Sequence, residues 1–338
     1  MAGLFSKQAP IGKTVLLIDI ENGSVGCALV HLSAQAGLSN NVGELPKLFA
    51  ETRVALPMMR TLDLEKLMKE TDVALREALM NTSVTAARMR THAKLSHIGA
   101  IHSGVVFISA PWTAALTGGN GPAGRAGGLD WEIESELQKH VGHAIADAFG
   151  DIPISFYATN AAVAHATGHL FKTAPYLLLC TMTGEITELS VLEDGKLAAR
   201  ATIPLGKHFF VRTLSSHAGL SHPEAHSALR LARGSNIETP VEEALHAAGT
   251  QFASSFASAA RELHTDNAPQ GILVVAQEPM GEWLVQMLVG QESLTKTFSQ
   301  GTTVQALHTH HIMPYLAAHA AKPDIVFMIE ALFINRTK

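Results

Sequence analysis

Apolar and polar positions alternate in the same arrangement in both halves of the chain. Residues 15–30 and residues 176–192 each contain an apolar run, a short polar turn with glycine, and a second, largely apolar run. This pattern is typical of a β-hairpin. When the two segments are superimposed, Asp19 of the first falls opposite Thr181 of the second. The sequence therefore predicts two related hairpins, of which only the first keeps a carboxylate at this position.

The pattern that follows each hairpin predicts strands alternating with helices. Apolar runs of strand length predict strands at residues 47–56, 104–111, 152–157, 196–204 and 271–276. Apolar positions at helical spacing predict helices at residues 62–79, 131–149, 160–170, 209–217, 223–233, 241–263, 281–289 and 325–334. The last segment is apolar on nearly every side, so we expect a buried helix. Together these elements predict an α/β protein whose sheets are covered by helices.

Composition narrows the class of protein. The chain has 338 residues, enough for two domains of ordinary size, and it is 47% hydrophobic and 16% charged. Its net charge is −5 and lysine and arginine form no cluster, which argues against nucleic-acid binding. Two cysteines, Cys27 and Cys180, suggest a reducing compartment. The sequence indicates no signal peptide and no transmembrane run. Residues 117–128 contain six glycines, so we expect a flexible loop there.

The polar turns are candidates for phosphate binding. Backbone N–H groups of a glycine turn can hold phosphates, and a carboxylate just before the turn can hold Mg²⁺ through water. The first hairpin offers Asp19 with Asn22, Gly23 and Ser24, and the second offers Thr183, Gly184 and Thr187. An ordinary hairpin turn uses the same residue types, and Asp19 could instead only cap its turn. Both interpretations remain open at this point.

These motifs resemble those of the actin-like superfamily, which includes actin, Hsp70 and sugar kinases, and they are most similar to its FtsA/PilM branch. The resemblance is carried by residues 19–25, 179–195, 201–206, 272–281 and 331–335. It implies a two-lobed actin-like (ribonuclease H-like) fold, with one mixed β-sheet and flanking helices in each lobe. The expected organisation is lobe I at residues 1–172, lobe II at 173–304 and a C-terminal helical segment at 305–338 that packs back on lobe I, with 113–150 as a reduced insert.

The resemblance also implies ATP and Mg²⁺ as cofactors. The implied nucleotide site consists of Asp19, Asn22, Gly23, Ser24, Thr183, Gly184, Thr187, Gln277 and Gly281, with Asp19 holding Mg²⁺ through water. Several family positions differ here. Thr181 replaces an acid, residues 277–280 replace a glycine motif and Glu21 replaces a glycine. His226 and Leu229 lie in the segment 223–230, where the family has its adenine-binding Glu and Lys. These departures imply that nucleotide binding is weakened or lost.

Two functional hypotheses follow. The first is a scaffold that acts through protein contacts, as a homo-oligomer or filament, in a bacterial cell-division or type IV pilus machine, in the cytoplasm and peripheral to the inner membrane. The second is an active ATP-binding or ATP-hydrolysing switch, at most a weak ATPase, in which Glu185 or Glu188 orients water. A metal site at residues 308–311 is disfavoured because no acid or cysteine motif flanks these histidines. We expect a solvated turn there.

Overall fold

The computed structural model of the chain describes thirteen strands and nine helices. The described residues are 12–33, 45–59, 63–115, 131–171, 176–231, 239–263, 269–277, 280–291, 294, 298 and 302–337. The strands are β1 Lys13–Ile20, β2 Ser24–Leu32, β3 Lys47–Ala55, β4 Ile101–Ile108, β5 Thr113–Ala115, β6 Trp131–Ile133, β7 Ile154–Ala158, β8 Tyr176–Met182, β9 Thr187–Glu193, β10 Lys196–Ile203, β11 Gly271–Val275, β12 Thr303–Ala306 and β13 Ala317–Ala318. The helices are α1 Leu64–Thr91, α2 Ser135–Phe149, α3 Thr159–Leu170, α4 Lys207–Ala218, α5 His222–Leu231, α6 Thr239–Leu263, α7 Met280–Val289, α8 Thr309–Ile312 and α9 Ile325–Thr337.

The two large sheets share one topology. In the first sheet the order is β13-β3-β2-β1-β4-β7, and in the second it is β10-β9-β8-β11-β12. In each sheet three consecutive strands form an antiparallel meander, and two further strands then extend the sheet in parallel on the side of its first strand. The hairpins predicted from the sequence are β1–β2 and β8–β9, so the repeated pattern marks two structurally equivalent sheets.

Helices cover both faces of each sheet. Helices α3 and α9 lie between the two sheets and share one apolar core with β1, β8 and β11. The outer face of the first sheet packs against α1 and α2, and the outer face of the second packs against α4, α6 and α7. Helix α9 is buried as predicted, with Phe327 and Phe333 among the largest fully buried side chains. This middle layer brings the carboxyl ends of β1 and β8 close together.

The structure corrects two predicted elements. Residues 131–149 form not one helix but strand β6, which pairs with β5, and then α2, which begins at Ser135 after Glu134 accepts a hydrogen bond as its N-cap. Helix α1 continues to Thr91 rather than ending at residue 79, because buried Thr82 and Ala86 extend its apolar face. The predicted flexible loop at residues 117–128 lies outside the described residues.

Candidate functional site

The turns of the two hairpins meet between the sheets. Asn22, in the β1–β2 turn, is 2% exposed. Its Nδ2 donates to the carbonyl oxygen of Ala110 at 2.8 Å and to Oγ1 of Thr183 at 2.9 Å, and its Oδ1 accepts from the backbone N–H of Glu185 at 2.6 Å. One amide side chain of the first hairpin therefore satisfies polar groups of the second.

The glycines of the two turns are in direct backbone contact. A Cβ atom added to Gly23 would lie 2.5 Å from Cα of Gly184, and one added to Gly184 would lie 2.4 Å from Cα of Gly23. Contacts this short do not occur for real Cβ atoms, so both positions require glycine. The turns touch instead of leaving a gap for a ligand.

Arg53 of β3 occupies the space beside the first turn. Its Nη1 lies 2.8 Å from Oδ2 of Asp19 and 3.7 Å from Oε1 of Glu21, and its Nε lies 2.7 Å from Oδ2 of Asp324. The guanidinium also lies over the Phe327 ring, 4.7 Å from its centroid. The Asp19 side chain is fully buried and that of Arg53 is only 16% exposed, so these are buried ion pairs. The cation facing Asp19 in this structure is therefore a side chain of the protein itself.

A fourth carboxyl group completes this cluster. Glu330 of α9 is fully buried near Asp19, and neither of its carboxyl oxygens has a hydrogen-bond partner among the described residues. Burial raises the pKa of Glu330 well above its ordinary value, and the neighbouring charge of Asp19 raises it further. Burial also raises the pKa of Asp19, but the Arg53 guanidinium opposes this shift. Burial of both carboxyl groups favours their protonated forms, whereas the hydrogen bond from Arg53 favours the ionised form of Asp19.

Glu21 shows how strongly this region disfavours further negative charge. Burial raises the pKa of Glu21 to about 7, against the opposing effect of Arg53. The Asp19 carboxylate adds to the increase. A polyanionic ligand at the same place would meet these carboxyl groups and would compete with them for one guanidinium.

The second turn is fixed to α4 by charged side chains. Glu185 accepts from Nδ1 of His208 at 3.0 Å and pairs with Nη2 of Arg212 at 2.8 Å. Burial favours the neutral acid, but these two partners reverse that effect and lower the pKa of Glu185. Arg212 also donates to the carbonyl oxygen of Met59, in the segment after β3, at 3.0 Å. Glu185 therefore forms part of the contact between the two halves.

Glu188, the other carboxylate considered for orienting water, is buried in β9. Burial raises its pKa, and Arg200, at 3.9 Å, opposes the shift. Asn160, the second residue of α3, hydrogen-bonds the same carboxyl group. Glu188 thus lies beside the middle helical layer.

The remaining predicted site residues lie around the same junction. Ser24 donates to Glu21 and accepts from Arg53, and Thr187 donates to the carbonyl oxygen of Leu205 at 2.7 Å. Gln277 follows β11, and Gly281 lies in the first turn of α7, facing Ala306. The structure therefore gathers the two turns and Gln277 at one edge, while Gly281 faces β12.

Two cavities of very unequal volume at this edge are lined by described residues. Between the turns, a cavity of about 10 Å³ is lined by Glu21, Met182, Thr183, Lys207, Ala276, Gln277 and Met280. A second cavity of about 460 Å³ is lined by Gln277, Thr309, Ala321, Lys322, Pro323, Asp324 and Ile325. About 10 Å³ is roughly the volume of one water-sized probe, whereas ligand pockets are typically about 300–1,000 Å³. The residues between the turns do not fit a phosphate chain with Mg²⁺ in this arrangement.

The sequence reasoning missed Arg53, Asp324 and Glu330. Two of them carried a detectable signal. Arg53 is a charge inside a strand predicted beside the Asp19 hairpin, and Glu330 is the one acid in the apolar segment 325–334. A buried charge needs a partner, so each of these residues indicates a second charged group nearby.

The duplicated sheets with paired turns between them define a two-lobed protein of the actin-like fold. Two solved structures support this assignment. Ethanolamine utilization protein EutJ from Carboxydothermus hydrogenoformans matches with a TM-score of 0.53 and 12% identity over 96% of this chain and 92% of that chain. The PilM–PilN type IV pilus biogenesis complex matches with a TM-score of 0.57 and 14% identity over 95% of this chain and 96% of that chain. The fold class implied by the sequence resemblance is confirmed.

Similarity at this level shows the fold alone. No protein-family model matches the chain, and no curated protein matches it. The assignments of the nucleotide-site residues, and of Asp19 to Mg²⁺, therefore remain predictions.

Histidines and membrane segments add no further site within the described part of the chain. His308 stacks on His310 beside the short helix α8, the His311 ring is tilted against both, and His308 pairs with Glu282 at 2.7 Å. The predicted solvated turn is thus a helical turn. Among the described residues, no group of three or more His, Cys, Asp or Glu side chains is placed to hold a metal ion.

The helices in the described part of the chain include none with the length and apolar character needed to span a bilayer.

Proposed function

We propose that the protein is an actin-fold scaffold of the FtsA/PilM type that acts through protein contacts or self-assembly and whose nucleotide binding is weakened or lost. One observation carries this proposal: Arg53 pairs with Asp19 and Asp324 beside two turns that touch each other. ATP with Mg²⁺ would need the Asp19 carboxylate and the space between the turns. In this chain both are used by internal contacts.

The energetic barrier to nucleotide entry is substantial. A ligand that displaced Arg53 would leave buried carboxylates unpaired, and breaking a buried ion pair costs about 3–5 kcal/mol. Parting the turns would also break the hydrogen bonds that join Asn22 to Thr183 and to the N–H of Glu185. The substitutions at Thr181 and at residues 277–280 are consistent with a site that no longer binds nucleotide.

Protein partners are the second part of the proposal. The structural similarity to PilM in its complex with PilN supports a role in a membrane-associated assembly, such as a type IV pilus or cell-division machine. In that role the protein lies in the cytoplasm, peripheral to the inner membrane, and contacts assembly proteins or other copies of itself. Lobe I would comprise residues 1–172, lobe II 173–304 and the returning C-terminal segment 305–338.

Two experiments test the scaffold hypothesis. In a thermal-shift assay, millimolar Mg-ATP should leave the melting temperature unchanged, and Asp19→Ala should respond to nucleotide as the wild type does. A ligand at 100 times its Kd stabilises a protein by about 2.7 kcal/mol, so a real site would be visible. Electron microscopy of concentrated protein with and without ATP tests self-assembly, and a monomer under both conditions would remove the filament proposal.

A second candidate, an ATP-binding switch, is favoured by the 460 Å³ cavity beside Gln277. Lys322 is the one cationic side chain among the described residues that line this cavity, so Lys322→Ala should weaken any nucleotide-induced rise in melting temperature. The exposed Lys94, in the turn after α1, provides the matched control as Lys94→Ala. No response to nucleotide in any of the three proteins would refute the switch.

A further inference from the structure

We propose that the two glycine turns form a ligand-independent lock that holds the two lobes in one closed arrangement. The lock consists of Asn22 and Gly23 on the first hairpin and Thr183, Gly184 and Glu185 on the second. In many two-lobed proteins, closure is driven by a ligand bound between the lobes. Here the polypeptide itself supplies the bridging contacts.

The lock is complementary in both hydrogen bonding and shape. Asn22 uses both ends of its amide, donating to Thr183 and accepting from the N–H of Glu185. Beside it, the Gly23 and Gly184 backbones lie too close for any Cβ. Asn22, Thr183 and Glu185 are at most 8% exposed, so water does not compete for these bonds in the closed arrangement. Opening would exchange the hydrogen bonds for bonds to water and would lose the close packing of the two glycines.

Each turn is also attached to the body of its own lobe. The Gly23 carbonyl accepts from the N–H of Leu56, at the end of β3, at 3.0 Å. The Gly184 carbonyl accepts from the N–H of His208, in the first turn of α4, at 2.7 Å. A contact between the turns is therefore a contact between the two lobes. Its consequence is that surfaces formed jointly by the lobes keep one geometry, and partner binding is not gated by a small ligand.

The test is a distance measurement between spin labels on opposite lobes by pulsed electron resonance. Glu77→Cys on α1 and Glu243→Cys on α6 provide exposed attachment sites. The native thiols will remain unlabelled because both are buried, and burial raises the pKa of Cys180 to about 12. With the wild-type turns we expect one narrow distance distribution, unchanged by millimolar Mg-ATP.

Variants of the turns show whether these contacts hold the lobes. Gly184→Ala forces a Cβ against Gly23 and should broaden the distribution toward longer distances. Gly142→Ala on α2 is the matched control, since its Cβ would meet nothing within 4 Å and the wild-type distribution should persist. If Gly184→Ala fails to fold, Asn22→Ala removes the hydrogen bonds without a clash and should also add longer distances.

Two results would overturn the lock. One is a broad ligand-free distribution that narrows when Mg-ATP is added. The other is a turn variant that folds and keeps the wild-type distribution. The lock and the proposed function can fail independently of each other. The lobes could open without any nucleotide binding, and they could be locked while calorimetry detects nucleotide in another cavity.

Discussion

Replacing Arg53 tests whether its ion pairs hold the centre of the molecule together. Arg53→Met keeps most of the apolar stem and removes the guanidinium from between Asp19 and Asp324. Removing one partner of a buried ion pair costs about 3–5 kcal/mol, because the remaining charge stays buried and unpaired. The cation–π contact with Phe327 adds about 0.5–1 kcal/mol. Since solvent partly reaches Arg53, we expect Arg53→Met to lower the free energy of unfolding by about 3–4 kcal/mol.

The assay is urea denaturation followed by circular dichroism, with free energies compared at a common m-value. Arg76→Met is the control, because Arg76 pairs with Asp72 and Asp147 on the surface and its side chain is 50% exposed. Exposed pairs contribute about 0–1 kcal/mol, so this variant should differ little from the wild type. Similar small losses in both variants would refute the argument that Arg53 forms a buried ionic centre.

A double-mutant cycle then measures how much of the lost stability comes from the interaction between Arg53 and Asp19. Asp19→Asn removes the charge that Arg53 neutralises, so Arg53→Met should cost less in that background than in the wild type. For residues in direct contact we expect a coupling energy of at least about 1.5 kcal/mol. Simple additivity of the two changes would show that the pair contributes no specific interaction.

Three further predictions follow from other residues. Burial raises the pKa of Glu188, so its contribution to stability is present below its ordinary pKa of 4.5 and is lost as pH rises through the folded-state pKa. The stability of Glu188→Gln relative to the wild type should therefore increase from pH 4 to pH 8. Equal shifts of the urea midpoint at the two pH values would contradict this. Glu330→Gln should cost under about 1 kcal/mol because a neutral amide of the same size fills the buried space, whereas Glu330→Ala should cost about 2–4 kcal/mol through the cavity that it leaves. Calorimetric melting separates the two, and equal losses would argue against a carboxyl group that burial keeps neutral. Gly206→Ala would place its Cβ 2.5 Å from the carbonyl oxygen of Gly184, so it should lower the melting temperature by several degrees, and an unchanged value would show that the second turn can shift freely.

The sequence predicted the fold better than the site. Hairpins, helices and the buried C-terminal helix follow from local apolar periodicity, which is why β1–β2, β8–β9 and α9 were predicted close to their observed bounds. Strand β6 was missed because three residues before a helix carry too little periodicity to separate them from it. The resemblance supplied the two-lobed fold class, which periodicity alone does not contain.

The site depends on contacts between residues far apart in sequence. Asp19 meets Arg53 across Gly26 of β2, and Glu330 lies near Asp19 because α9 packs on this sheet. No spacing rule connects residues 19 and 330, so the sequence alone left Asp19 open to a role with Mg²⁺. In the same way, the direct contact between Gly23 and Gly184 follows from the packing of the two sheets and not from either turn by itself.

Isothermal titration calorimetry of the purified wild-type protein with Mg-ATP measures whether internal contacts occupy the place of a nucleotide between the lobes. Arg53→Met is titrated in parallel as a variant in which Asp19 is released. No binding heat is expected for the wild type at millimolar nucleotide. Saturable binding to the wild type with one ATP per chain, lost in Asp19→Ala, would instead show an intact nucleotide site between the lobes.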